Sequence, residues 1–481
     1  MAASQHLRVQ TKADGYGPMI DKNQTFRSIT EQISSIVVRQ RPPLMWYIGT
    51  GLSFILVLIL MGAVTYLLLR GIGIWGVNVP VAWGFAITNF VWWIGIGHAG
   101  TLISAILLPL AQHWRNSINR FAEAMTLFAV ICAGLFPLLH LGRPWMFYYL
   151  IPYPATMGTW PQFRSPLVWD IFAVSTYLTV SLVFWYIGLI PDMATVRDRA
   201  PKRWQQIIFG ILCFGWRGSS YHWKRYEMTY LLLAGLATPL VLSVHTVVSF
   251  DFTISILPGW HSTFFPPYFV AGAIYSGFAM VLMLAIPIRS LYHLEDVITP
   301  RHINNCARLM LVTGIIVLYS YVMETFIAWY SGDPYEWAMM KFRMFGPYGW
   351  VYWVLVVFNL AIPQLVWLRR IRRNNIALFL ISMSVLVGMW LERFVIVIQS
   401  LSQDFLPSSW GIYRPTIWDW AVLFGTVGLF TFLMLLFLRL LPMISMSEVR
   451  RMLPAAEVHL EPEREKAARL VEAGQEEVPS S

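Results

Sequence analysis

Charge is what this sequence has least of. Of its 481 residues only 12% are Asp, Glu, Lys or Arg, while 57% are hydrophobic. A soluble domain of this length carries roughly twice that share of charge. The shortage excludes a water-soluble globular chain. Cysteine is scarce too. Cys132, Cys213 and Cys306 are scattered without CxxC spacing, too few and too far apart for an iron–sulfur cluster held by this chain alone. The first 44 residues are polar and mixed in charge and do not read as a cleavable signal peptide, so the first apolar segment is expected to direct insertion. A net charge of +10 would suit nucleic acid, but the basic residues lie in short links between apolar runs, which is the pattern of membrane orientation.

What the chain does have is a series of such runs. About 20 apolar residues cross the hydrocarbon core as a helix. Ten segments qualify: 45–69, 81–110, 119–141, 166–190, 226–250, 266–288, 308–330, 347–368, 376–398 and 416–441. The reading is an all-α polytopic membrane protein, with tails at 1–44 and 442–481. Of the Lys and Arg residues, 28 lie in the tails, in the links on their side or at the span ends that adjoin them. The opposite side has six, Arg70, Arg143, Arg164, Lys341, Arg343 and Arg414, and Arg393 lies inside a span. That asymmetry places both termini in the cytoplasm. Within link 191–225, KRWQQIIFGILCFGW is expected to lie in the interface as a helix. The tail after Pro442, rich in Glu, Arg and Ala, reads as solvated helix or disorder. Links 142–165, 251–265, 331–345 and 399–415 are rich in Pro, Trp, Tyr, Phe and Gly. An ordinary aromatic belt accounts for them, and four on one face also offer a platform for a partner subunit.

An ionisable side chain in the bilayer costs about 2.5–3.5 kcal/mol on insertion scales, so each one needs a reason. His140 ends span 3, Asp170 opens span 4, Asp251 ends span 5, and Glu392 and Arg393 lie in the outer third of span 9. Four helices thus bring a histidine, carboxylates and an arginine to one depth. Pairing of Arg393 with one acid would lower its own cost but leaves the other acid and the histidine unexplained. Together they suit a site that holds and deprotonates a two-electron, two-proton carrier. A deeper set comprises His98 in span 2, Glu123 in span 3, His245 in span 5 and Glu324 in span 7. His98 sits among glycines that permit close helix approach. Singly, such residues satisfy a neighbour. As a set, His98 and Glu123 could begin a proton route toward the cytoplasm. His140 and His245 could form one outer haem-ligand pair at most, and a second pair is missing, so no haem is expected on this chain. No metal ligand set is expected either.

The motif HLGRPW at 140–145, with GHAG at 97–100 upstream, resembles the membrane subunits of the NrfD/PsrC family, the quinone-interacting anchors of polysulfide-reductase-like complexes. The basic link GWRGSSYHWKRYE at 215–227 and WLERF at 390–394 are similar to the ActC branch of bacterial alternative complex III, with the ActF branch second. The resemblance covers nearly the whole chain. It implies two four-helix bundles, spans 2–5 and 6–9, with spans 1 and 10 peripheral, in a bacterial cytoplasmic membrane. It further implies menaquinol oxidation near the periplasmic face, with His140, Asp170, Asp251 and Arg393 as site residues and Arg143 and Glu392 beside them. Electrons would pass to an iron–sulfur subunit on that face. A second NrfD-like subunit and multihaem cytochrome c subunits would complete the complex, haem and clusters being held by chains other than this one. Two other readings compete. A secondary transporter would place its charges at the midplane on broken helices, whereas the densest cluster here is near one surface. A passive anchor would use its polar groups only to pair with one another.

Overall fold

The computed structural model describes residues 18–151 and 163–456. Among them, nine helices are long and apolar enough to cross a membrane. They are Leu44–Arg70 (span 1), Asn119–His140 (span 3), Pro166–Arg199 (span 4), Ser220–Thr253 (span 5), Phe265–Leu291 (span 6), Pro300–Tyr330 (span 7), Gly349–Trp367 (span 8), Asn375–Ser402 (span 9) and Ile417–Leu440 (span 10). Span 2 is Phe85–Thr101, an α-helix of 17 residues that runs on through a π-helical turn, Leu102–Ile106. All ten expected spans therefore have a helical counterpart. Similar π turns interrupt span 8 at Val357–Ala361 and span 9 at Val395–Gln399. Such turns re-aim side chains and recur at functional sites.

Spans 2, 3, 4 and 5 close one ring of contacts and spans 6, 7, 8 and 9 another. Span 2 joins the rings by packing on spans 6 and 9, and spans 1 and 10 lie along each other. This is the expected pair of four-helix bundles with two peripheral helices. The face bearing the amino-terminal helix Phe26–Val38 is termed here the basic face, and the opposite one the aromatic face.

Spans 2 and 3 approach closely because Gly100 has no side chain: a Cβ there would lie 2.0 Å from the Ala122 carbonyl oxygen. At Gly277 of span 6 a Cβ would lie 2.4 Å from Cβ of Ala99. Overpacking of this kind costs about 1–3 kcal/mol. Gly100→Ala is therefore expected to lower the thermal midpoint of the purified protein by several degrees. Gly62→Ala, where nothing lies within 4 Å, should leave it unchanged. Equal midpoints for the two variants would contradict this packing.

Two parts of the tails depart from expectation. Residues 442–456 do not form a solvated tail. Met443, Ile444, Met446, Val449 and Leu453 are buried, and the short helix Met446–Arg450 docks on span 4 and on the amino-terminal helix. The Glu- and Arg-rich stretch beyond dominates the composition of 442–481 and hides these apolar positions. The amino-terminal helix Phe26–Val38 likewise buries Ile29, Ile33, Ile36 and Val37. The expected interfacial helix is present at Arg203–Leu212, with Trp204, Ile207, Ile208 and Ile211 exposed as a lipid-facing edge requires. Expectations for residues 1–17, 152–162 and 457–481 lie outside the described residues.

Candidate functional site

Asp170 stands one turn into span 4, behind Pro166 at the helix start, and is 7% exposed. Asp251 stands near the end of span 5. Their carboxyl groups come within hydrogen-bonding reach of each other. The Oδ1 atom of each is buried with no protein partner. A carboxyl pair in contact can hold a proton between its members, and buried oxygens without partners are rare in folded proteins. His140, the last residue of the span 3 helix, is half-buried, with its Nδ1 buried and also without a partner. No hydrogen bond joins it to either acid. Arg143 follows in the adjoining turn and is exposed.

Arg393 does not join this pair. It lies 3.0 Å from Oε1 of its own neighbour Glu392, with its guanidinium 4.2 Å over the ring of Phe269. The other Glu392 oxygen accepts from the Tyr321 hydroxyl, and Asn359 donates to the Tyr321 oxygen at 3.1 Å. The expected cluster at one depth is thus two clusters. Asp170 and Asp251 belong to the first bundle, while Glu392 and Arg393 are locked in a polar core of the second. Sequence depth misled because it does not give the direction of a side chain: Arg393, in the regular helix before the π turn at Val395–Gln399, turns to Glu392 and Phe269.

The deeper histidines meet. The rings of His98 and His245 are 4.5 Å apart, so His245 pairs with His98 and is not available to His140. His98 Nδ1 donates to the Ile94 carbonyl at 2.8 Å, which leaves Nε2 as its open nitrogen. That atom and both nitrogens of His245 are buried without partners. From His98 a seam of hydroxyls runs toward the basic face. Its ring stands 5.6 Å from Tyr177, whose hydroxyl meets Thr101 Oγ1 at 2.8 Å. One turn on, Ser104 lies near Glu123, with its hydroxyl donating to the Gly100 carbonyl at 2.9 Å.

Glu123 is no isolated acid. It accepts from Arg120 at 2.9 Å and from the Tyr230 hydroxyl at 2.8 Å. Arg120 also lies 3.6 Å from Asp192, whose Oδ1 accepts from the backbone of Met446 at 3.1 Å. Glu448 closes the network, bonded to Asn119 at 2.9 Å and 3.0 Å from Arg115. Arg115 and Arg120 thus carry more than orientation charge: they are buried at 4% and 0% exposure and compensate three acids. Sequence reasoning missed Arg120, Tyr177, Tyr230, Asp192 and Glu448. The spacing of Arg120 and Glu123, three apart on one helix, was the available signal.

Glu324 stands apart from that seam. It pairs with Arg343 at 2.6 Å, and Arg343 also donates to Ser400 at 2.7 Å and to the Gly259 carbonyl at 2.9 Å. Nearby, Glu336 accepts from the Gly259 N–H at 2.9 Å, and burial raises its carboxyl above the ordinary value. Here Glu324 braces the aromatic-face links, and it has no contact with His98 or Glu123. Among the described residues, no group of three or more His, Cys, Asp or Glu side chains stands together as a metal site.

The polysulphide reductase NrfD family matches residues 75–403. The chain is similar to the putative membrane subunit of a dimethyl sulfoxide reductase from Halobacterium salinarum, 28% identical over 49% of this chain and 50% of that one. It thus spans about half the length of that relative. A selenate reductase subunit of Mesobacillus selenatarsenatis is 21% identical over 79% of this chain and 91% of its own. The Hdr-like menaquinol oxidoreductase integral membrane subunit of Archaeoglobus fulgidus is 20% identical over the same shares.

Proposed function

Because the chain belongs to the polysulphide reductase NrfD family, a family of membrane subunits in redox complexes, we propose that it binds a quinol beside Asp170, Asp251 and His140. The observation that carries the reading is the contact between two carboxyls, neither of which accepts a hydrogen bond from a donor among the described residues. A bound hydroxyl pair supplies the missing partners. When bound, quinol supplies two electrons and two protons. The acid pair and His140 Nδ1 hold and pass on the protons, and the span 3, 4 and 5 backbones keep these groups fixed. The basic face lies in the cytoplasm, following the charge asymmetry. Trp145, Phe147 and Tyr149, exposed just after His140, form the platform for an iron–sulfur subunit that takes the electrons. Menaquinol is the preferred donor, as the name of the Archaeoglobus relative suggests, and an assembly like alternative complex III fits the sequence likeness. Arg393 orders the second bundle and is not placed in contact with the quinol. Turnover of the complex carrying His140→Ala tests the reading. A fall of about tenfold or more is expected for a proton-transfer group, and wild-type turnover contradicts it.

Proton translocation is a second reading, favoured by the paired histidines and the hydroxyl seam to Glu123. In proteoliposomes, His98→Ala is expected to lower the protons moved per electron while quinol oxidation continues. An unchanged ratio removes His98 from any such route. A secondary transporter has no comparable support, and solute uptake by the chain alone in liposomes would revive it.

A further inference from the structure

Spans 1, 2, 6, 9 and 10 enclose a crevice of about 680 Å³, to which spans 3, 4 and 5, the carriers of Asp170 and Asp251, contribute no residue. Its walls are almost wholly apolar, with Met280, Met283, Met383 and Met434 facing Trp92 and Trp420. Methionine adapts to irregular chain-shaped ligands. Along span 10 the lining runs from Trp420 to Leu438, about 27 Å at 1.5 Å per residue, so the crevice is elongated parallel to the spans. Phe424, Met383 and Val387 on its rim are exposed, opening it sideways to lipid. At about 30 Å³ for each water-sized group, it has room for roughly 20 methylenes.

The basic-face end is polar in one respect. Tyr292 lines it, is 9% exposed, and keeps its hydroxyl buried without a partner. The Arg439 guanidinium lies close enough to act on that hydroxyl electrostatically and uses one amino group to donate to the Ile36 carbonyl. Arg41, exposed, precedes the lining residue Pro43 by two positions. An apolar slot ending in a phenol and cations suits a chain whose terminal group is negative. We propose that this crevice holds one acyl chain of an anionic phospholipid from the basic-face leaflet, its phosphate between Tyr292 and Arg439. A quinone head is uncharged and leaves Arg439 unanswered.

Native mass spectrometry of the delipidated complex, titrated with dioleoyl phosphatidylglycerol or dioleoyl phosphatidylcholine, tests the assignment. Wild type is expected to retain one more phosphatidylglycerol than the crevice-filling variant Met283→Trp/Met383→Trp. Its preference over phosphatidylcholine should be about fivefold, the worth of roughly one charge at a membrane surface. Arg439→Gln should abolish that preference while the chain site stays occupied. Equal retention by wild type and the filled variant, equal affinity for the two lipids in wild type, or a quinone or partner helix recovered from the crevice would each overturn the proposal.

Discussion

Asp251→Asn is expected to lower quinol oxidation by the assembled complex about 10²- to 10⁴-fold, the usual worth of a positioned proton acceptor. An amide can still donate to Asp170 but cannot accept and release a proton. The pair would keep its shape and lose its chemistry. Folding should be nearly intact, because Asn is the same size and the partnering oxygen of Asp170 remains. Asp170→Asn should behave alike, since the two carboxyls touch, and the double variant should be little worse than either single one. That non-additivity is the signature of groups acting as a unit. Turnover with a soluble quinol analogue, measured beside complex assembly on a native gel, checks it. Full turnover in both single variants would remove the acid pair from the reaction.

The second large effect concerns stability. Arg120 is fully buried and faces Glu123 at 2.9 Å and Asp192 at 3.6 Å. A Cβ on Gly188 would lie only 1.9 Å from its Nη1, so the guanidinium fills the space that this glycine leaves. Arg120→Leu would strand two buried acids, and removing one partner of a buried ion pair costs about 3–5 kcal/mol. Most of the folded population should be lost on heating well below the wild-type midpoint. Adding Glu123→Gln to Arg120→Leu should recover part of the loss by removing one stranded charge. Thermal unfolding of the three purified proteins decides the matter. A single variant as stable as wild type would show that water reaches this network.

Much of the architecture was legible because lipid imposes a simple rule: every spanning segment must satisfy its own backbone. Runs of apolar residues therefore marked all ten helices, and link charge set the faces apart. Asp170 and Asp251 were legible as members of one polar cluster because each sits at a helix end on the same face, but not as a pair in contact with each other. The place of Arg393 was not legible. It lies in the outer third of span 9, but helix depth says nothing of which way a side chain points, and Glu392 beside it was the nearer counter-charge. His98 and His245 were read as members of one deeper set, and depth alone did not show that they face each other across the bundle. The buried carboxy-terminal turn was hidden by the composition of the residues that follow it. Arg115 and Arg120 were hidden because their charge was counted toward membrane orientation, without asking whether acids such as Glu448, more than 300 residues away in sequence, could reach them.

On this reading the quinol head meets the acid pair of the first bundle. A cryo-electron microscopy map of the assembled complex with a tight-binding quinol analogue measures it directly. Head-group density is expected within hydrogen-bonding distance of Asp170 or Asp251 and beside His140. Density seated in the second bundle against Glu392 and Arg393, with the first bundle empty of ligand, would contradict that claim.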